Sequence, residues 1–280
     1  MKTSILKRAA ICIIAVASIT TPLNSHSQVF SVIAEETALV PVTPFGAKFG
    51  KVRIPARAAH SPHVAFLAGM KPGFGGVTPA NDQAIFVGLE VAPMVAVREG
   101  DIVPDASGNP TSAQFAVFRD PLLLSSNVYA FPATISGVGI TTTNNRGLWS
   151  TFGGAMHQVA RSGDVAPGTG GAKFKDFYSF VLPESGDVVF YASLEIGTGT
   201  PAVTLADDKG VWGYDFSAPT TLIKIIRTGD SLFTKTVRSI TFATPVSRSP
   251  GQSRSFGEDG NLEMRVTFTT GFSAIVAVAR

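Results

Sequence analysis

"VARSGDVAPGTGGAKF" (159–174) holds four glycines and a lysine. The stretch is either a loop that grips phosphate or a turn that joins two strands. A phosphate loop needs Gly-x-x-x-x-Gly-Lys-Ser/Thr opening a helix. Here Gly171-Ala172-Lys173-Phe174 breaks that spacing and leads into an alternating, strand-like segment. The stretch reads as a seam between strands.

Related stretches occur elsewhere, and internal repeats decide a fold before any local signal does. "VAVREGDIVP" (95–104), "VARSGDVAP" (159–167) and "IIRTGDSLF" (225–233) each end an apolar run in Arg-x-Gly-Asp, with Arg98, Arg161 and Arg227 separated by 63 and 66 residues. Phe86, Trp149 and Trp212 precede them, 63 residues apart both times. Phe49, Phe115, Phe174 and Val237 follow the Gly-Asp turns at spacings of 66, 59 and 63. A fourth anchor is an apolar strand after a polar turn, in "HVAFLA" (63–68), "NVYAFPA" (127–133), "GDVVFYA" (186–192) and "GNLEMRVTF" (260–268).

Each unit of about 63 residues therefore reads as four short strands, a to d, separated by Gly, Pro, Asn and Asp. The fourth unit supplies a, b and a c-like "FSAIVAVA" (272–279). A candidate for its missing strand d stands at the other end, in "VFSVIAEETALVP" (29–41), where Glu35 matches Arg98 and Pro41 matches Pro104 at 63 residues. Val29 to Arg280 is 252 residues, four periods of 63. The expectation is an all-β, four-bladed β-propeller-like ring closed by its N-terminal strand; the alternative is an open stack of small antiparallel sheets.

The first 27 residues read as a secretory signal peptide: Lys2, Lys7 and Arg8, then an apolar run over 9–19, then small polar residues. Residues 28–280 form a single repeat domain, expected to be exported to the periplasm or beyond the cell. The formal charge of +3 resides in the leader, because removing its three basic residues leaves 20 Lys and Arg against 20 Asp and Glu. Nucleic acid is not an expected partner. The only cysteine, Cys12, also lies in the leader, so the domain relies on its core rather than on disulfides. No later segment is a transmembrane candidate.

The Arg-x-Gly-Asp repeats, with Ala-Pro-Gly-Thr-Gly-Gly at 166–171, resemble a group of exported bacterial repeat proteins of unknown function. In that group Ala-Arg-Glu-Gly-Asp-x-Ala-Pro-Gly-Thr recurs, followed by Phe and a Gly-Asp-Val-x-Phe strand. Arg98-Glu-Gly-Asp101 and Gly186-Asp-Val-Val-Phe190 carry the match, which extends over 29–280. The resemblance implies a β-propeller-like fold and export, and brings no active site with it.

Candidate functional residues are few. Arg98/Asp101, Arg161/Asp164 and Arg227/Asp230 form either an anion site around a channel or structural turns, with Asp accepting backbone N–H bonds and Arg pairing across blades. Repetition in every unit favours structure. The same holds for Phe86, Trp149 and Trp212 as core between sheets rather than a ligand cage. The Asp-bearing turns at 81–83, 184–187, 207–210 and 258–261 lack the alternating oxygen pattern of a calcium loop. His60 and His63, with only His26 and His157 besides, do not make a zinc set. No metal and no cofactor is expected.

Function in a repeat array is expected where the repeat is broken. Arg248 and Arg254 sit in a long a-to-b connection, 244–260, and Lys71 and Phe74 in the glycine-rich "GMKPGFGGVTPAND" (69–82). The expected function is non-catalytic presentation of such loops to a glycan or protein partner. The alternative is a glycan-active hydrolase or lyase at one mouth of the ring, for which carboxylates such as Glu184, Asp187, Glu195, Asp207 and Asp208 are available but unpaired by sequence.

Overall fold

The structure is a computed structural model describing residues 31–41, 45–58, 61–124, 128–183, 188–215, 218–242 and 261–278. The chain divides into Met1–Val32 and Ile33–Arg280, and the sheets all belong to the second part. The leader, Phe30, His60, Glu184, Asp187, Arg248 and Arg254 lie outside the described residues. The described residues form strands and turns only, with no helix long and apolar enough to cross a membrane.

Four antiparallel sheets follow one another in sequence. The first contains β1 (Phe49–Val52), β2 (Ala56–Arg57), β3 (His63–Met70), β4 (Gln83–Leu89) and β5 (Ala92–Arg98). The second contains β6 (Ile102–Pro104), β7 (Pro110–Phe118), β8 (Leu122–Leu123), β9 (Tyr129–Ser136), β10 (Arg146–Ser150) and β11 (His157–Arg161). The third is β12 (Phe174–Val181), β13 (Val189–Leu194), β14 (Lys209–Asp215) and β15 (Ala218–Arg227). The fourth is β16 (Ser231–Leu232), β17 (Lys235–Phe242), β18 (Leu262–Phe268) and β19 (Ser273–Val278). Strands a, b, c and d are thus β1-β3-β4-β5, β7-β9-β10-β11 and β12-β13-β14-β15, while β17-β18-β19 supplies a to c.

The repeat builds the same aromatic cluster three times. Phe115, Phe131 and Trp149 meet with Phe115–Trp149 centroids 5.1 Å apart at 79° and Phe131–Trp149 at 6.4 Å and 20°. Phe174, Phe190 and Trp212 reproduce this at 5.0 Å and 80°, and 6.3 Å and 20°. Phe49, Phe66 and Phe86 form the lighter version in the first sheet. Edge-to-face and offset arrangements suit the ring quadrupoles. The indole N–H groups donate to connector carbonyls one period apart, Trp149 to Pro104 at 3.4 Å and Trp212 to Pro167 at 3.1 Å.

The larger ring dictates a neighbour two residues earlier. A Cβ on Gly147 or Gly210 would stand 2.6 Å and 2.8 Å from Cη2 of Trp149 and Trp212. Phe86 is smaller, and Ala84 occupies the equivalent position. Gly-x-Trp and Ala-x-Phe are therefore two solutions to one packing problem.

The clusters of the second and third sheets, each with the opposite face of the preceding sheet, make the apolar cores joining sheets one and two and sheets two and three, and Val237, Ile240, Met264 and Val266 join sheet four to sheet three without an aromatic cluster. A fourth core buries the cluster of the first sheet under Val40 and Val77, with Ile33, Ala34 and Ala38 against it. Each connector alternates an exposed and an inward residue over its own cluster: Leu39/Val40, Ile102/Val103 and Val165/Ala166.

The fourth sheet breaks the pattern on its far face. Where strand b of the third sheet has buried Val189 and half-buried Tyr191 flanking Phe190, β18 has exposed Glu263 and Arg265 flanking Met264.

The part of 29–41 that matches a connector between units pairs as the other connectors do. Leu39 bridges Lys48, the Thr37 N–H donates to the Phe49 carbonyl at 2.9 Å, and the Phe49 N–H donates to Ala38 at 2.9 Å. This reproduces the way Gly100 and Asp101 engage Phe115, so the match of Glu35 to Arg98 holds in register. Among the described residues the part matched to strand d, 31–35, forms no strand, and β19 pairs with β18 alone, so they make four successive sheets without a closing strand.

Candidate functional site

The Arg-x-Gly-Asp turns are joints. The backbone N–H of Arg98 and of Arg227 donates to the carboxylate of Asp101 and Asp230, at 2.7 Å and 2.8 Å, closing each turn as expected of Asp. The arginines, expected to pair across sheets, bond inside their own units instead. Arg98 donates to the Asn81 carbonyl at 2.7 Å and its side-chain oxygen at 2.8 Å, and Arg227 engages the same two groups of Asp207. Arg161 turns to Asp164 at 3.5 Å. Burial raises the Asp164 carboxyl above its ordinary value, against the opposing pull of Arg161 and Gln158.

The partner loops repeat too. Thr78, Thr141 and Thr204 each donate a backbone N–H to Asn81, Asn144 or Asp207 three residues on. The geometry holds strand d to the b–c loop of one sheet because a fork-shaped guanidinium reads a carbonyl and a side-chain oxygen together. The charges that cross between sheets are different ones, Arg53–Asp120 at 2.9 Å and Arg146–Asp176.

Lys71 and Phe74 stand on the loop between β3 and β4. The Phe74 ring is 41% exposed, with the Lys48 ammonium 4.4 Å from its centroid. Phe45, 92% exposed, lies on the neighbouring connector. This surface is exposed, aromatic and bears a cation. His63 bonds Ser61 at 2.5 Å. Among the described residues no three His, Cys, Asp or Glu side chains cluster as metal ligands would.

A concave site lies at the seam of the second and third sheets. A cleft of about 580 Å³ is lined by Ala106, Ser107 and Gly108 from the β6–β7 turn, Phe152, Gly153 and Ala155 from the β10–β11 loop, His157 of β11 and Tyr214 of β14. His157 Nδ1 is 3.1 Å from the Ala155 carbonyl and Nε2 is 3.1 Å from the Tyr214 hydroxyl. A carbonyl can only accept, so Nδ1 donates to it, while Nε2 and the phenol share the second hydrogen bond. Burial pushes the Tyr214 hydroxyl up to about 12, so it keeps its proton.

The loops frame this pair for local reasons. Asp105 accepts the N–H groups of Asn109 at 2.9 Å and Ser107 at 2.8 Å, which folds the β6–β7 turn, and the Asn109 bond first of all holds its carboxyl below the ordinary range. The Gln158 N–H donates to the Asp105 carbonyl at 3.0 Å, fastening that turn to β11.

The pair is a break in residue type at constant repeat length. His157 lies four residues before Arg161, where Met94 and Ile223 stand before Arg98 and Arg227. Tyr214 lies two after Trp212, where Gly88 and Thr151 follow Phe86 and Trp149. The search for breaks by loop length missed it. A position-by-position alignment of the units would have shown an aromatic pair replacing Met, Ile, Gly and Thr.

No curated protein and no solved structure matches the chain. A family model does match, over residues 21–279, described as a family of unknown function (DUF7453). With nearly its whole length covered, the chain belongs to that family.

Proposed function

We propose that this chain is an exported, non-catalytic binding protein, and that its ligand is a glycan held in the His157–Tyr214 cleft. The observation that carries the reading is the chemistry of the walls. The aromatic residues Phe152 and Tyr214 line the cleft beside hydrogen-bonding groups on Ser107, His157 and Tyr214, and no lining residue is a carboxylate, lysine or arginine. Sugar rings present apolar C–H faces and hydroxyls that donate and accept, which this combination suits. The volume falls in the usual range of small-molecule sites. Glycoside hydrolysis needs two carboxyl groups flanking the bond, so the hydrolase alternative finds no support in this lining. The family match begins at residue 21, past the basic start and apolar run, in keeping with export.

The arrangement of sheets belongs to the same reading. We infer an open array rather than a closed ring, supported by Glu263 and Arg265 on the far face of the fourth sheet, since end units of stacked repeats carry a polar outer face.

Titration calorimetry with a panel of neutral oligosaccharides tests the site. Tyr214→Phe removes one hydrogen bond and is expected to weaken binding about tenfold, and His157→Ala by more, with the fold retained by circular dichroism. Binding unchanged in both variants, or turnover of the bound sugar, would refute this reading.

A further inference from the structure

Among the described residues β19 is an edge strand, paired with β18 alone. The outer strands of the other sheets are blunted: β5 carries Pro93 and Arg98, β11 carries Arg161, and β15 carries Lys224 and Arg227. Each is also joined to its neighbour through a bulge, at Ile85/Phe86, Leu148/Trp149 and Val211/Trp212. Prolines, charges and bulges are the means by which edges avoid pairing with other chains. β19 reads Ser-Ala-Ile-Val-Ala-Val, without charge or proline, and its ladder to β18 runs in unbroken register from Thr267↔Ser273 to Leu262↔Val278. Two large apolar side chains stand out at this edge, Ile275 at 74% and Phe272 at 68% exposure.

We propose that β19 pairs antiparallel with β19 of a second copy of this chain, across a two-fold axis at Ile275. The sequence is self-complementary in that register. Ile275 faces its own symmetry mate, Ala274 faces Val276, Ser273 faces Ala277, and Phe272 faces Val278, so no like charges meet and both exposed side chains gain apolar partners. On the far face Arg265, opposite Ile275 within the sheet, lays its aliphatic stem beside the paired isoleucines. A two-fold interface requires this self-complementarity of one patch.

The test uses the absence of any cysteine beyond Cys12. In a full chain carrying Cys12→Ser, Ile275→Cys places two thiols on directly opposed residues, whose Cα atoms lie about 4.5–5.5 Å apart, within disulfide reach. Mild oxidation is expected to give a covalent dimer on a non-reducing gel. Glu263→Cys, one strand further in, is expected to give none. By sedimentation, Ile275→Arg, at an exposed position, is expected to weaken dimerisation about tenfold. A wild-type chain that stays monomeric to about 100 µM would overturn the proposal, whether the edge is then taken by this chain's own N-terminal segment or by another protein. So would equal cross-linking of both cysteine variants.

Discussion

Glu99 occupies the second position of its Arg-x-Gly-Asp turn, where Ser162 and Thr228 stand in the next units. Those hydroxyls each bridge one residue of strand c: Ser162 accepts from the Arg146 N–H and donates to its carbonyl, and Thr228 does the same with Lys209. A carboxylate cannot donate. Glu99 instead has its pKa raised above the ordinary 4.5 by burial first, and then by the charge and hydrogen bond of Asp82. A raised folded-state pKa means the folded chain holds its proton longer than the unfolded one, so stability falls as pH rises from about 4.5 upward. Glu99→Gln removes that penalty. Its thermal midpoint is expected to exceed the wild type at pH 7, with the gap closing below about pH 4; a constant gap at all pH values would rule out the titration of this group as the cause. Thr37 is another residue-scale departure, a β-branched side chain at φ 77° where the other units place Gly100, Gly163 and Gly229.

At the scale of elements, the joint between strand d and the b–c loop shows why the repeat keeps its odd residues. Gly229 sits at φ 85°, and a Cβ there would come within 2.9 Å of the Asp207 Cβ. The same glycine frees the turn and lets the aspartate loop approach Arg227. Gly229→Ala is therefore expected to cost about 2 kcal/mol, from backbone strain and the displaced loop, and to lower the thermal midpoint by about 5 °C. An unchanged midpoint would mean that this joint bears little of the load between strands. Strands a to d were legible because both inputs are local: alternation of apolar residues and glycine-rich turns, confirmed by three further copies. The short strands β2, β6, β8 and β16 were not. Their two- or three-residue ladders exist because a loop happens to lie along a longer strand, and nothing in two residues encodes that.

At the scale of the molecule, four similar sheets end in one that is different. Glu263 and Arg265 replace the apolar flanks that every other strand b uses to meet its neighbour. Restoring the third sheet's residues, with Glu263→Val and Arg265→Tyr, is expected to leave the strand content intact and to cause concentration-dependent association through that face, measured by light scattering. A variant that stays as soluble as the wild type would argue that the far face is already covered. The cleft belongs to this scale as well. His157 and Tyr214 are 57 residues apart and belong to different units, so neither marks a site until two sheets are packed together.

The amino-acid sequence by itself determined the all-β class, the four units, the a-to-d order of strands and the residues of the aromatic clusters. Those depend on periodicity and side-chain size, which are properties of the chain read in order. Only the tertiary structure decided which partner each arginine takes, which short loops lie along a longer strand, and that a histidine and a tyrosine face one cleft. Those outcomes turn on which surfaces meet after the sheets form, and identical local patterns allow more than one meeting.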